Sequence, residues 1–311
     1  MLKTLAVIVS FFLFFGSGAA PYSYKNPAEI KLSAVVLSDM HMETNNPLRF
    51  AKDGSTLSGV YSGGNSPDVL AFAGDNTMNG QSLEWFDFYG FIGRFNRGSD
   101  VLVAMGNHDF GNTADEETYE KLSARAIEKY NYYCGADIDK VYYSRDYGEA
   151  KFIMLASEHN AENTVQVITD EQAEWLRNEL ADCVSQGKTA VVINHNPLYG
   201  RNGDRSYYSF NQIDGGDAVD EALQSCGAKV VYVSGHTHFG LSSSSVTQDG
   251  DVTYVNLPSA GNDGNYRADE GGADHGIGMI MEFYEDTLEI SFRNFATGKN
   301  FDYYSLSIDL K

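Results

Sequence analysis

Residues Lys229 to Gly240 read KVVYVSGHTHFG. An apolar run rich in β-branched residues stops at Gly235, and two histidines, His236 and His238, follow one residue apart. Such a run suits a strand covered on both faces of a sheet. Side chains at i and i+2 of an extended chain project to the same side. If the strand direction persists past Gly235, both imidazoles enter one small volume, as a shared cation would require. The pair alone does not separate a cation site from chance, so the rest of the chain decides.

The same texture recurs at SAVVLSD (33–39), DVLAFAGD (68–75), DVLVAMGNHD (100–109), KFIMLAS (151–157) and KTAVVINH (188–195). Each run is near-continuously apolar and predicts a central strand. Helical patterns lie between them at 82–95, 115–133, 169–187 and 217–227. The third opens on a Thr169/Gln172 capping pattern and has a stop at Gly187. Beyond residue 250 the runs alternate and are split by turns, which predicts antiparallel strands. The expectation is an α/β fold with a mixed sheet system, residues 21–311 forming one domain.

What terminates the strands is the informative feature. Their carboxyl ends carry Asp39 and His41, then Asp75, then Asn107, His108 and Asp109, then His195, then His236 and His238. In open α/β sheets that rim is where ligands bind. Five of the seven histidines fall there, at positions 41, 108, 195, 236 and 238. His159 and His275 fall in loops and read as ordinary loop histidines. Oxygen and imidazole donors without thiolate suit Zn, Mn, Fe or related ions. Seven candidate ligands (Asp39, His41, Asp75, Asn107, His195, His236 and His238) exceed the needs of one tetrahedral site and suit two ions sharing a carboxylate. Gly74, Gly106 and Gly235 adjoin the set, where a tight turn benefits from residues without Cβ.

The 311-residue chain has a formal net charge of -21, or -22 once Lys3 leaves with residues 1–20. That acidity disfavours binding to nucleic-acid duplexes or anionic lipid. Residues 1–20 read as a signal peptide: Lys3, an eleven-residue apolar core, then GSGAA. No run is long enough to span a bilayer, and export to a periplasmic or extracellular space is expected. Cys134, Cys183 and Cys226 allow at most one internal disulfide. QGKTA (186–190) is no P-loop, because Asp182 stands where its first glycine belongs, and no Gly-x-Ser-x-Gly element is present.

The ordered set of Asp39-x-His41, Gly74-Asp75, Gly106-Asn107-His108-Asp109, His195 and Gly235-His236-x-His238 resembles the calcineurin-like metallophosphoesterases. The resemblance implies two mostly mixed β-sheets packed as a sandwich flanked by helices. It implies two metal ions, Mn, Zn or Fe, one on Asp39, His41, Asp75 and His238. The other would be held by Asp75, Asn107, His195 and His236, with Asp75 bridging. It further implies in-line attack on phosphorus by a metal-bound hydroxide, with His108 at the departing oxygen. Where purple acid phosphatases place a metal-binding Tyr, and protein phosphatases an Asp that orients the histidine, this chain has Met78. Asp109 is then the nearest candidate to orient His108. Arg201 and Arg205 are candidates to grip substrate anions, and the loops at 198–210 and 261–275 are candidate pocket walls. The expected function is an exported phosphoesterase acting on a small phosphodiester. A phosphomonoesterase (a nucleotidase or protein phosphatase) is the alternative, and a metal-holding binding protein the alternative of another class.

Overall fold

The computed structural model describes residues 19–64, 66–112, 115–159, 165–207, 212–261 and 274–311. The expected leader lies almost wholly outside them, as do parts of the two expected wall loops. In chain order the strands are β1 (Leu32–Leu37), β2 (Val69–Ala73), β3 (Asp100–Ala104), β4 (Tyr143–Asp146), β5 (Ala150–Met154), β6 (Gln166–Val167), β7 (Thr189–Ile193) and β8 (Ile213–Asp214). They continue with β9 (Val230–Ser234), β10 (Val246–Asp249), β11 (Val252–Asn256), β12 (Ile277–Phe283), β13 (Thr287–Asn294), β14 (Lys299–Asn300) and β15 (Leu306–Asp309). The helices are α1 (Pro47–Val60), α2 (Ser82–Phe95), α3 (Glu116–Cys134), α4 (Asp170–Gln186) and α5 (Gly216–Ser225).

One sheet has the order β14-β13-β12-β1-β2-β3, with β15 also on β13. The other runs β10-β11-β9-β7-β5-β4, and β6 pairs with β8 in a small third sheet. In the first, β1, β2 and β3 are parallel. In the second, β5, β7, β9 and β11 are parallel. All six expected central strands form. Tyr254 and its neighbours in β11 depart from the expected antiparallel texture, since β11 runs parallel to β9 and antiparallel only to β10. β12 and β13 are antiparallel as the alternation predicted.

The continuous apolar runs are explained by burial on both faces. Val36, Phe72, Val103, Phe152, Val191 and Val231 share one core between the two large sheets. Ile153, Val192 and Tyr232 turn to the other face, where Leu176 and Leu180 of α4 and Val219 and Leu223 of α5 cover them. Helix α4 starts as its capping residues dictate: the Thr169 side chain accepts from the Gln172 N–H, and Gly187 closes the helix in the left-handed conformation. Helix α1 has a weak interior for a helix, with Gly54 and Gly59 within it. Its start is fixed by Asn46 and Pro47, and Gly59 lets the helix approach the backbone of Phe295 so closely that a Cβ would lie 1.8 Å from its carbonyl oxygen. Cys134, Cys183 and Cys226 are free thiols. No helix among the described residues is long and apolar enough to cross a membrane.

Asp53 on α1 is fully buried, and neither carboxylate oxygen has a hydrogen-bond partner. Burial pushes its carboxyl well above the ordinary value, against the pull of Arg49 and Lys52. A raised folded-state value means the unfolded chain releases this proton first, so its cost to stability appears as pH rises above about 4. We expect Asp53→Asn to raise the melting temperature by roughly 2–8 °C at pH 8. At pH 4 or below the gain should largely vanish, and equal gains at both values, measured by thermal denaturation, contradict this account.

Candidate metal centre

The strand ends of both large sheets meet along one edge, and the side chains expected there converge. His41 Nε2 lies 2.9 Å from His238 Nε2 and 3.7 Å from Asp75 Oδ2. His238 Nε2 is 3.1 Å from Asp39 Oδ1. His195 Nε2 is 3.2 Å from both Asp75 Oδ2 and His236 Nδ1. Donor atoms of Asp39, His41, Asp75 and His238 all fall within 4.8 Å of one another, as do those of Asp75, His195 and His236. Asp75 is common to both groups.

The route to this convergence differs from strand alternation. β9 ends at Ser234, and His236 and His238 sit in a loop with φ of 67° and 51°. A left-handed turn at each histidine, and not a continued strand, aims both rings inward. Asp39, His41 and Asp75 also have φ near 50°: 54°, 49° and 51°. Aspartate and histidine tolerate this region better than most side chains, at a cost of order 1 kcal/mol or more each.

Glycines give the carboxylates their room. A Cβ on Gly106 would stand 2.2 Å from Asp75 Oδ1, and one on Gly235 would stand 2.3 Å from Asp39 Oδ2. Asp39 accepts from Ser38 Oγ at 2.5 Å and from the His236 N–H at 3.1 Å. The His108 N–H donates to Asp75 Oδ1 at 2.9 Å. Ser38 and Ser259, which donates to the Asp39 carbonyl, carry no motif that a sequence reading would have singled out.

The donor set fits cations on the structure's own terms. The His195 ring donates Nδ1–H to the Ala73 carbonyl at 2.9 Å, so in a neutral ring the Nε2 lone pair faces the Asp75 carboxylate. Lone pair against carboxylate is repulsive unless a proton or metal ion stands between them. Burial pulls the His195 imidazolium down, yet the Asp75 and Asp39 carboxylates outweigh it and carry the ring up to about 9. His41 goes the other way, to about 3, because burial and the charge of His238 exceed the help of Asp75. Burial also works to raise Asp39 and Asp75, but the neighbouring imidazoles hold both below the carboxylate range. Burial likewise pulls His238 down, yet the Asp39 carboxylate raises it above its ordinary value. Asn107 Oδ1 is buried with no donor, which suits a ligand oxygen.

His108 lies edge-on to His41, with ring centroids 4.7 Å apart. Its Nδ1 is 2.8 Å from the Met78 carbonyl oxygen, which can only accept, so Nδ1 carries the proton and Nε2 is left to face a ligand. The partner of His108 is therefore the main chain of Met78. Asp109 does not touch the ring. Its carboxylate accepts from Asn76 N and Nδ2, Thr77 N and Oγ1, and Gly106 N, clamping the turn after β2 to the turn after β3. A sequence neighbour of a catalytic candidate thus serves the backbone beneath it. Burial, with the charge of Asp75, lifts this carboxyl to about 6.

Neither candidate arginine is placed to grip substrate. Arg201 makes a bidentate pair with Asp220, Nε to Oδ1 and Nη2 to Oδ2, and a second ion pair with Asp249. Arg205 is 1% exposed and donates to the Phe239 and Gly240 carbonyls and to Ser242, behind the His238 loop. Acidic and carbonyl groups distant in sequence reach both guanidinium groups.

Residues 32–240 match the calcineurin-like phosphoesterase family. A probable cyclic nucleotide phosphodiesterase from Rhodococcus erythropolis is 31% identical over 53% of this chain and 52% of its own length. Purple acid phosphatase 15 of Arabidopsis thaliana is 24% identical over 56% of this chain and 35% of its own. The chain thus spans about half or less of these relatives. In fold it is similar to a dimetal phosphatase from Danio rerio, with a TM-score of 0.63 at 14% identity, over 91% of this chain and 100% of that one. A purple acid phosphatase from yellow lupin seeds gives a TM-score of 0.60 at 16% identity, covering 89% and 53% of the two chains. The chain belongs to the calcineurin-like phosphoesterase family.

Gly235→Ala should cut bound metal at least severalfold, because its Cβ collides with Ser38 Oγ and Asp39 Oδ2. Gly90→Ala, in the exposed middle of α2 with open space around it, should instead stabilise by about 1 kcal/mol and keep full metal content. Metal analysis with thermal denaturation of the two variants tests this contrast.

Proposed function

We propose that this calcineurin-like phosphoesterase is an exported, dinuclear metal-dependent hydrolase of small phosphodiesters. The observation that carries the proposal is the pair of buried donor groups sharing Asp75. One ion would be held by Asp39, His41, Asp75 and His238, the other by Asp75, Asn107, His195 and His236. Two cations of the Mn, Zn or Fe type supply positive charge against the phosphoryl oxygens and activate water near neutral pH.

The protein's own residues set up the rest. Asp75 is fixed by the His108 N–H, so the shared carboxylate and the histidine main chain move as one piece. The His108 ring is pinned at Nδ1, which presents Nε2 to the oxygen that departs. Hydrolysis forms a bond from water oxygen to phosphorus and breaks the ester P–O bond; the imidazolium form of His108, its Nδ1–H held by the Met78 carbonyl, would give its Nε2 proton to the departing alkoxide, and the proton lost by the attacking water restores it. The tie-up of Arg201 and Arg205 favours a singly charged diester over a dianionic monoester, since neither cation is left to neutralise the second charge. The resemblance to a probable phosphodiesterase supports the same choice. Export rests on residues 1–20 alone.

The test is metal analysis of the purified protein with hydrolysis of bis(p-nitrophenyl) phosphate and p-nitrophenyl phosphate in added Mn or Zn. Two metals per chain and preference for the diester are expected. His108→Ala should keep both metals and lose about 10²–10⁴ in turnover. Preference for the monoester supports the phosphatase alternative, and two metals without turnover of either ester supports the binding protein.

A further inference from the structure

The turn that follows β7 carries His195, and a buried polar network fastens it. Asn194 and Gln166 exchange hydrogen bonds in both directions, Gln166 Nε2 to Asn194 Oδ1 at 2.5 Å and Asn194 Nδ2 to Gln166 Oε1 at 2.8 Å. Asn194 Nδ2 also lies 3.1 Å from the Asn196 carbonyl oxygen and 2.8 Å from the Tyr232 hydroxyl. That hydroxyl donates in turn to the Asn196 carbonyl at 2.8 Å. Gln166, Asn194, Asn196 and Tyr232 are all buried. The residues on each side of His195 are thus tied to one another and to β9. A buried amide pair bonded in both directions holds one geometry, because parting it leaves two amides without water.

The ring carried by this turn has no slack. His195 Nδ1–H donates to the Ala73 carbonyl of the other large sheet, and a Cβ on Gly74 would stand 2.5 Å from that nitrogen. A metal–imidazole bond of about 2.0–2.1 Å accepts a displacement of roughly 0.2 Å. A small shift of the main chain at Asn194 would therefore be felt at the metal. Gln166 is also a junction for the chain that leaves the centre after His195. Its N–H donates to the Gln212 carbonyl at 3.0 Å, where that chain returns into β8, the partner of β6. Departure and return are fixed to one residue, by its side chain and by its main chain.

We propose that Gln166 and Asn194 are positioning residues for His195, and that their amide pair sets the affinity of the second metal ion, the one on Asp75, Asn107, His195 and His236. The first ion, on Asp39, His41, Asp75 and His238, takes no donor from this turn and is little affected. The inference rests on the dinuclear reading above.

The test is a titration of the metal-free full chain with Mn ions, bound ions being counted by EPR. Gln166→Met removes the amide pair at similar volume, and Asn194→Ala removes its other half. Gln172→Met is the control, since Gln172 is a buried amide that bonds both the N–H and the carbonyl of Ala156. Gln166→Met should bind one ion within about twofold of the wild-type affinity and the other at least about tenfold more weakly. Gln172→Met should bind both as the wild type does, with a metal-free melting temperature lowered at least as much as in Gln166→Met. In a His236→Ala background, where the second site is already broken, Gln166→Met should make no further difference. The Mn concentration giving half-maximal hydrolysis of bis(p-nitrophenyl) phosphate should rise with the weakened step, while kcat at saturating Mn stays within about threefold. If Asn194→Ala does not fold, Gln166→Met decides. Wild-type affinity for both ions in Gln166→Met, equal weakening of both, or the same change in Gln172→Met overturns the assignment. A wild-type chain that binds fewer than two ions overturns instead the dinuclear reading.

Discussion

Two carboxylates and four imidazoles occupy one buried volume, and no arrangement of that set is stable without positive charge between its members. Everything near the strand ends answers to this requirement. The His195 ring is turned by the Ala73 carbonyl so that its other nitrogen meets Asp75. Gly106 and Gly235 are bare because the carboxylates occupy the space a Cβ would need. Among the described residues, the non-glycine positions in the left-handed region are Asp39, His41, Asp75, His236 and His238, with Asn112 the one outside the centre. Backbone strain is concentrated where the ligands turn inward, and the two surrounding sheets hold it in place.

The sheets can do so because the site is built on the rigid parts of the fold. Parallel strands on both sides of the core end together, and each end is tied to the next. Asp109 joins the turns after β2 and β3, the His236 N–H reaches Asp39 across the sandwich, and Arg205 braces the loop that follows His238. Charge-assisted hydrogen bonds of this kind contribute about 1.5–3 kcal/mol each. They keep donor atoms close that would otherwise repel one another.

Much of this was legible in the sequence because the strands buried on both faces are continuously apolar and the polar residues follow them abruptly. The strand ends named the centre, and the Thr169 cap and Gly187 stop gave the bounds of α4. Other features were not readable, for physical reasons. Helix α1 has two glycines and draws its stability from contact with Phe295, which lies far along the chain. The fates of Arg201 and Arg205 depend on Asp220, Asp249 and the Phe239–Ser242 carbonyls, which only folding brings near. Asp109 adjoins His108 in sequence, but the turn at Gly106 sends its carboxylate under the loop and leaves the ring to Met78. Spacing identifies which residues meet; it does not show which of their atoms are already occupied.

The division of the donors between two sheets has a mechanical meaning. Asp39, Asp75 and Asn107 follow strands of one sheet, and His195, His236 and His238 follow strands of the other. An ion bound by members of both halves is a rivet across the sandwich, closing a loop that runs from Asp39 to His238. Cross-links that span so much chain restrict the unfolded ensemble more than short ones do, though only logarithmically. The loaded protein should therefore come apart as one cooperative body, with its two halves resisting separation together, whereas chelation frees the seam to open first at the rim.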